Sequence, residues 1–213
     1  MQINFSMKKD LSIKVCGMKY KDNIKDLLRL NPDFIGFIFY PKSTRYIGCK
    51  IPELDYKSTR KTGVFVNESI ENVMEIANNN TLSFIQLHGY ESPDYCKLLK
   101  DKGFQLIKAF SVDEHFDFEI CKSYEKVCDL FLFDTKGTLP GGNGKRFNWK
   151  KLEEYTLEKA FLLSGGISLK QVDEIKHFKH PYLYGIDVNS GFEIEPALKN
   201  IKELELFFKI LGF

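Results

Sequence analysis

Residues able to do chemistry recur at one kind of place in this 213-residue chain, directly behind short apolar runs. Cys16 closes the run Ser12–Cys16, and Tyr40 to Arg45 follow Asp33–Tyr40. Asn67 follows Thr62–Val66, Gln86 and His88 close Leu82–Leu87, and Asp134 closes Asp129–Phe133. Ser164-Gly165-Gly166 end Ala160–Leu163, and Asp187 to Gly191 end Tyr182–Val188. Thiol, carboxyl and imidazole are the groups proteins use to move protons. A thiol acts as a base only when ionised, and a neighbouring cation would favour that form. Lys14, two residues before Cys16, points to the same face of an extended strand. The two glycine turns suggest a different task. Glycine lets backbone N–H groups approach an anion, and a following helix N-terminus adds its dipole. Gly165, Gly166, Asn189, Ser190 and Gly191 are therefore read as a phosphate cradle. Taken singly, each residue has a plainer reading: Cys16 as a buried structural cysteine, Asp134 as a loop cap, His88 as a satisfied rim histidine.

The elements that must position these residues follow from periodicity. Seven apolar runs have been named, and Gln105–Phe110 is the eighth. Helical spacing follows at Asn23–Leu30, Ile70–Asn78, Pro93–Lys102, from Asn148, at Leu169–His177 and at Pro196–Ile210, while Gln105–Phe110 leads into a segment around His115–Lys126. Alternating strand and helix patterns imply parallel βαβ units. Runs apolar on both alternations imply strands covered on both faces. About eight units in about 200 residues predict an α/β fold, a single (β/α)8 barrel. Such a barrel places every strand end listed above on one rim, the rim that carries active sites. No G-x-G-x-x-G turn follows the first strand, which counts against an open dinucleotide-binding sheet. Cys49–Thr59 lacks a clear helix, so an irregular second crossover is expected. Residues 1–10 are read as a loose N-terminal extension, and 11–213 as the barrel.

Composition narrows the class. At 43% hydrophobic and 28% charged residues the chain is globular, and its net charge of +2 gives no reason to expect nucleic acid. No run of about 18 apolar residues appears, so no membrane partner is expected. The five cysteines are widely spaced without a C-x-x-C, which fits neither a metal site nor a disulfide framework. A reducing, cytoplasmic location and no cofactor are the expectations.

Read in order, the motifs resemble those of the phosphoribosylanthranilate isomerase family. Lys14-Val15-Cys16-Gly17-Met18-Lys19 and Gly36-Phe37-Ile38-Phe39-Tyr40-Pro41-Lys42-Ser43-Thr44-Arg45-Tyr46 look like its first two motifs. Gly63-Val64-Phe65-Val66-Asn67 and Gln86-Leu87-His88-Gly89 are similar to the next two. Phe133-Asp134-Thr135-Lys136 with Gly141–Lys145, Phe147 and Trp149 resemble the sixth-strand loop. Leu163-Ser164-Gly165-Gly166-Ile167 and Gly185–Glu193 complete the series. Two positions depart from the pattern: Thr44 where proline is usual, and Asn189 where serine is usual.

The resemblance implies an Amadori rearrangement of N-(5'-phosphoribosyl)anthranilate to the aminoketose, a step of tryptophan biosynthesis without metal or cofactor. It implies Cys16 as the base and Asp134 as the acid. It also implies Arg45 against the anthranilate carboxylate, with Gln86, His88 and Asp187 lining the substrate site. The loop Gly137–Gly144 is expected to close over the substrate. A small-molecule phosphosugar–anthranilate partner and a monomer or simple homodimer are expected. Two alternatives stand beside this reading: a non-catalytic phosphosugar-binding barrel, and a histidine-pathway type of aminoaldose isomerase, which carries aspartate where Cys16 stands.

Overall fold

The computed structural model describes residues 11–135 and 148–213. Eight parallel strands close a barrel in chain order: β1 (Ser12–Val15), β2 (Phe34–Ile38), β3 (Arg60–Phe65), β4 (Phe84–Leu87), β5 (Leu106–Val112), β6 (Leu130–Thr135), β7 (Phe161–Leu163) and β8 (Leu183–Val188). Five α-helices are present among the described residues: α1 (Lys21–Leu28), α2 (Ile70–Asn79), α3 (Pro93–Asp101), α4 (Val172–His177) and α5 (Ile201–Leu211). Their starts are set locally. The Ser69 and Ser92 hydroxyls accept N–H groups at the first turns of α2 and α3, and Pro93 occupies the first turn of α3. Among the described residues no helix is long and apolar enough to cross a membrane. Residues 1–10 and the loop Gly137–Gly144 lie outside the described residues.

Strand alternation sorts the side chains into two packed layers. Ile13, Val15, Ile85, Leu87, Phe131 and Phe133 belong to the large cluster beneath the helices. Phe34, Phe84, Leu130, Leu132 and Leu162 fill the barrel interior. Carried up to the rim, the same alternation turns Cys16, Gln86, His88, Asp134 and Ser164 inward. The site is therefore a continuation of the core pattern by polar residues.

Two connections differ from the expected helices. The helix expected from Asn148 is a 3-10 turn at Trp149–Glu154 capped by Asn148, while the segment around His115–Lys126 holds a 3-10 turn at Phe118–Tyr124. The closing helix starts at Ile201 rather than Pro196. Before it, β9 (Glu193–Glu195) and β10 (Leu198–Lys199) form a small antiparallel hairpin. Ala197, with φ of 70°, turns the hairpin, and the Asn200 side chain caps α5. The irregular second crossover is as expected. Its backbone is satisfied by the buried Asn80 amide, which accepts from Ile51 N and donates to Cys49 O, both at 2.9 Å.

The barrel seam depends on Gly185, the register partner of Ser12. A Cβ at Gly185 would lie 2.2 Å from the Ser12 carbonyl oxygen. Gly185→Ala is expected to force β1 and β8 apart and to destabilise the protein by about 1–3 kcal/mol. The check is a lower urea midpoint at unchanged slope; a wild-type midpoint would contradict the packing described here.

Candidate active site

A cavity opens on the rim at the carboxyl ends of the strands, the rim that carries active sites in such barrels. Its walls include Cys16 from β1, Gln86 and His88 from β4, Asp134 from β6, Ser164-Gly165-Gly166 after β7, and Asp187, Asn189, Ser190 and Gly191 from β8 and its loop. Of the residues assigned to proton transfer, substrate or phosphate in the sequence, all but Arg45 line this cavity, whereas Lys14 and Asn67 do not. Among the described residues no three His, Cys, Asp or Glu side chains converge as a metal site.

Cys16 is 4% exposed, and its N–H donates to Val188 O at 2.9 Å. Its sulfur occupies space that exists because residue 36 is glycine: a Cβ there would lie 2.6 Å from Sγ. Below it lies a buried ion pair. Lys14 and Asp187 are register partners across the β1–β8 seam, and Lys14 Nζ donates to Asp187 Oδ1 at 2.8 Å. Burial works against the Lys14 ammonium, but Asp187 and Cys16 hold it above the ordinary lysine range. Burial raises the Asp187 carboxyl and Lys14 pulls it back. At this distance the two form an ion pair with Lys14 charged.

The thiol does not follow the expectation of a lowered pKa. Burial pushes it up and Asp187 adds to that, while Lys14 and Lys199 pull it down without prevailing. A fully desolvated thiolate costs more than these two cations return, because each of them already faces a carboxylate.

Across the cavity, His88 Nε2 stands 3.4 Å from Asp134 Oδ2, and Gln86 Nε2 meets His88 Nδ1 at 2.9 Å. The other carboxyl oxygen of Asp134 accepts Thr135 N at 2.9 Å. The β4 end is itself braced. Buried Glu91 accepts from Asn67 N and Gly89 N, and it pairs with Lys108 at 3.0 Å.

The glycine turns cross one another. A Cβ at Gly191 would lie 2.0 Å from Ile167 O, so the loop after β8 lies directly against the loop after β7. Gly165 and Gly166 have φ of 95° and 63°, the left-handed conformation that turns successive N–H groups to one side. Both turns lead into short 3-10 segments, Leu169–Gln171 and Ser190–Phe192. Donors here are thus backbone groups of the turns, with little of the expected helix dipole.

Arg45 lies beside the cavity. Its Nε contacts Glu193 Oε1 and Oε2 at 2.9 and 3.1 Å, and Nη2 donates to Oε2 at 2.7 Å. Lys199, fully buried, donates to Glu193 Oε1 at 2.5 Å and to Asn189 Oδ1 at 2.7 Å. The Glu193 hydrogen bond holds Arg45 above the ordinary guanidinium range. Burial works against the Glu193 carboxylate, yet Arg45 and Lys199 hold it below the usual range. Burial also pushes the Lys199 ammonium down. Sequence reading gave no role to Glu193 or Lys199, and took Ser164 only as part of the glycine turn after the seventh strand. The first two sit on the hairpin that replaces the expected helix start, and Ser164 Oγ lies 3.4 Å from Asp187 Oδ2.

Comparison with known proteins agrees with this geometry. The family model of N-(5'-phosphoribosyl)anthranilate (PRA) isomerase matches residues 13–210. The N-(5'-phosphoribosyl)anthranilate isomerase of Parabacteroides distasonis is 46% identical over 202 residues, covering 92% of this chain and 91% of that protein. The enzyme of the same name from Phocaeicola vulgatus is 44% identical, with coverage of 93% and 97%. Among solved structures, phosphoribosylanthranilate isomerase from Thermotoga maritima superposes with a TM-score of 0.82 at 29% identity, over 94% of this chain and 98% of that one. A phosphoribosylanthranilate isomerase complexed with reduced 1-(o-carboxyphenylamino)-1-deoxyribulose 5-phosphate superposes with a TM-score of 0.78 at 27% identity, over the same shares of the two chains. The chain belongs to the N-(5'-phosphoribosyl)anthranilate isomerase family.

Proposed function

We propose that this isomerase carries out its Amadori rearrangement with Cys16 as general base and Asp134 as general acid. The observation that carries the assignment is their placement. The two residues line one cavity, from β1 and β6, and the same cavity is walled by the two crossed glycine turns. A substrate phosphate on those turns gives the ribose a fixed end. Asp134 donates a proton to the furanose ring oxygen. The C1–O bond breaks, and the nitrogen lone pair forms the C=N bond of an open-chain iminium. The Cys16 thiolate then takes the C2 proton. The C–H electron pair becomes the C1=C2 bond of an enolamine, which returns the iminium electrons to nitrogen. Ketonisation gives 1-(2-carboxyphenylamino)-1-deoxyribulose 5-phosphate, with no net redox change. Lys14 and Lys199 are the cations that favour the thiolate. Gln86 and His88 hold the Asp134 side of the cavity and line the substrate site. Asp187 fixes Lys14 and borders the substrate at the cavity floor. Arg45 takes the anthranilate carboxylate, whose planar geometry matches the guanidinium fork.

Cys16→Ser and Asp134→Asn are each expected to lower kcat by about a hundredfold or more, the scale of a lost acid or base. Near-normal turnover in either variant, assayed by loss of phosphoribosylanthranilate fluorescence, would remove that residue's role. Burial places the thiol above its ordinary range, so thiolate should form late as pH rises. The difference in thiolate absorbance between the protein and Cys16→Ser should reach its midpoint above the ordinary cysteine pKa of about 8.5; a midpoint below that value would contradict the desolvation described. Gly191→Ala should raise KM about tenfold or more with a smaller change in kcat, because the turn must move away from Ile167 O. An unchanged KM would separate this turn from phosphate binding.

A further inference from the structure

The buried cluster beside the cavity contains two cations and one carboxylate. Arg45 and Lys199 both bond Glu193, and the three side chains are 12%, 0% and 6% exposed. Among the described residues, Glu193 is the only carboxylate paired with either cation. The remaining Lys199 contact is the neutral Asn189 amide, and Glu193 Oε1 also accepts Ala197 N at 3.1 Å. Lys14 and Asp187 neutralise each other at 2.8 Å. The neighbouring Cys16 is a thiol held toward its neutral form. Buried charge is ordinarily paired one to one, since an unpaired ion in a dry site is costly. Among the described residues the cluster therefore keeps one surplus positive charge, and it meets the cavity through Asn189, which lines the cavity and accepts a hydrogen bond from Lys199.

We infer that Arg45, Glu193 and Lys199 form a carboxylate receptor held one anion short, which the ligand's carboxylate completes. In the empty protein Arg45 rests on Glu193. When an aromatic carboxylate arrives, Arg45 turns its fork to it, and Lys199 keeps Glu193 paired. Two cations then face two carboxylates, and no buried carboxylate is left alone. Without Lys199, the move of Arg45 would strand Glu193. Lys199 and Glu193 are on this account positioning residues for Arg45. The inference rests on the assignment of the anthranilate carboxylate to Arg45, and it adds the charge balance that makes the transfer possible. Asn189, where serine is usual, supplies the second Lys199 contact, at 2.7 Å.

Two ligands separate this from a packing role: reduced 1-(o-carboxyphenylamino)-1-deoxyribulose 5-phosphate and its counterpart lacking the ring carboxylate. Their dissociation constants are measured by calorimetry on the folded protein, with inorganic phosphate as a third probe. The wild-type protein is expected to prefer the carboxylate ligand by about tenfold or more, the scale of a charge-assisted fork. Lys199→Met should erase most of that preference while leaving affinity for the carboxylate-free ligand and for phosphate within about twofold. Glu193→Gln should act in the opposite direction and widen the preference, because Arg45 loses its internal competitor. Equal losses for both ligands in Lys199→Met would assign Lys199 to packing and overturn the inference. A loss confined to phosphate would overturn it as well, and so would a narrowed preference in folded Glu193→Gln. If Glu193→Gln fails to fold, Lys199→Met alone decides. A wild-type protein indifferent to the carboxylate would instead remove Arg45 from carboxylate binding, and this inference with it.

Discussion

The Lys14–Asp187 ion pair is the contact on which the site is built. It lies beneath the cavity and bridges the two strands that close the barrel, so the same bond serves the seam and the chemistry. One partner is two residues before Cys16 and the other two residues before Asn189, which places the pair under both the thiol and the phosphate-side loop. Removing either partner would leave a lone charge in a dry interior, a situation that costs about 3–5 kcal/mol. The pair thus makes the two ends of the chain's strand order interdependent. Ser164, reaching Asp187 from β7, extends the arrangement to a third strand.

Around this floor the charges separate into two systems with different character. The floor is internally balanced. The Arg45–Glu193–Lys199 group is not, and it stands on the outer side of the loop after β8. Between them lies a sulfur that burial keeps in its neutral form. Opposite, Gln86, His88 and Asp134 form a polar arm that, among the described residues, includes no lysine or arginine, braced from behind by Glu91 and Lys108. The cavity is therefore electrically polarised. Cations are concentrated toward β1, β8 and the hairpin, and the carboxyl and imidazole groups stand toward β4 and β6.

Most of the barrel was readable because its signals are local. Apolar runs of strand length, serine caps before α2 and α3, and polar residues behind each strand all lie within a few positions of what they determine. The inward direction of Cys16, Gln86, His88 and Asp134 follows from alternation alone. The failures have a different origin. The helix expected from Pro196 begins at Ile201, because Ala197 takes a left-handed turn and Asn200 offers a better cap, and neither outweighs helical spacing in the sequence. That displaced start hid Glu193 and Lys199, whose partners lie far away at Arg45 and within the loop at Asn189. The direction of the Cys16 shift was also unreadable. It depends on burial and on Asp187, which are properties of the assembled rim and not of the Lys14 spacing.

The glycine at position 36 has a consequence for how this active site can change over generations. Its missing side chain is the volume that the Cys16 sulfur fills, with 2.6 Å between Sγ and the place a methyl group would occupy. Positions 16 and 36 on neighbouring strands are therefore not free to drift separately. Even alanine at 36 is closed to a lineage while the thiol remains, and opens only after residue 16 has become smaller or has moved. A substitution that looks conservative on β2 is thereby made conditional on the history of β1.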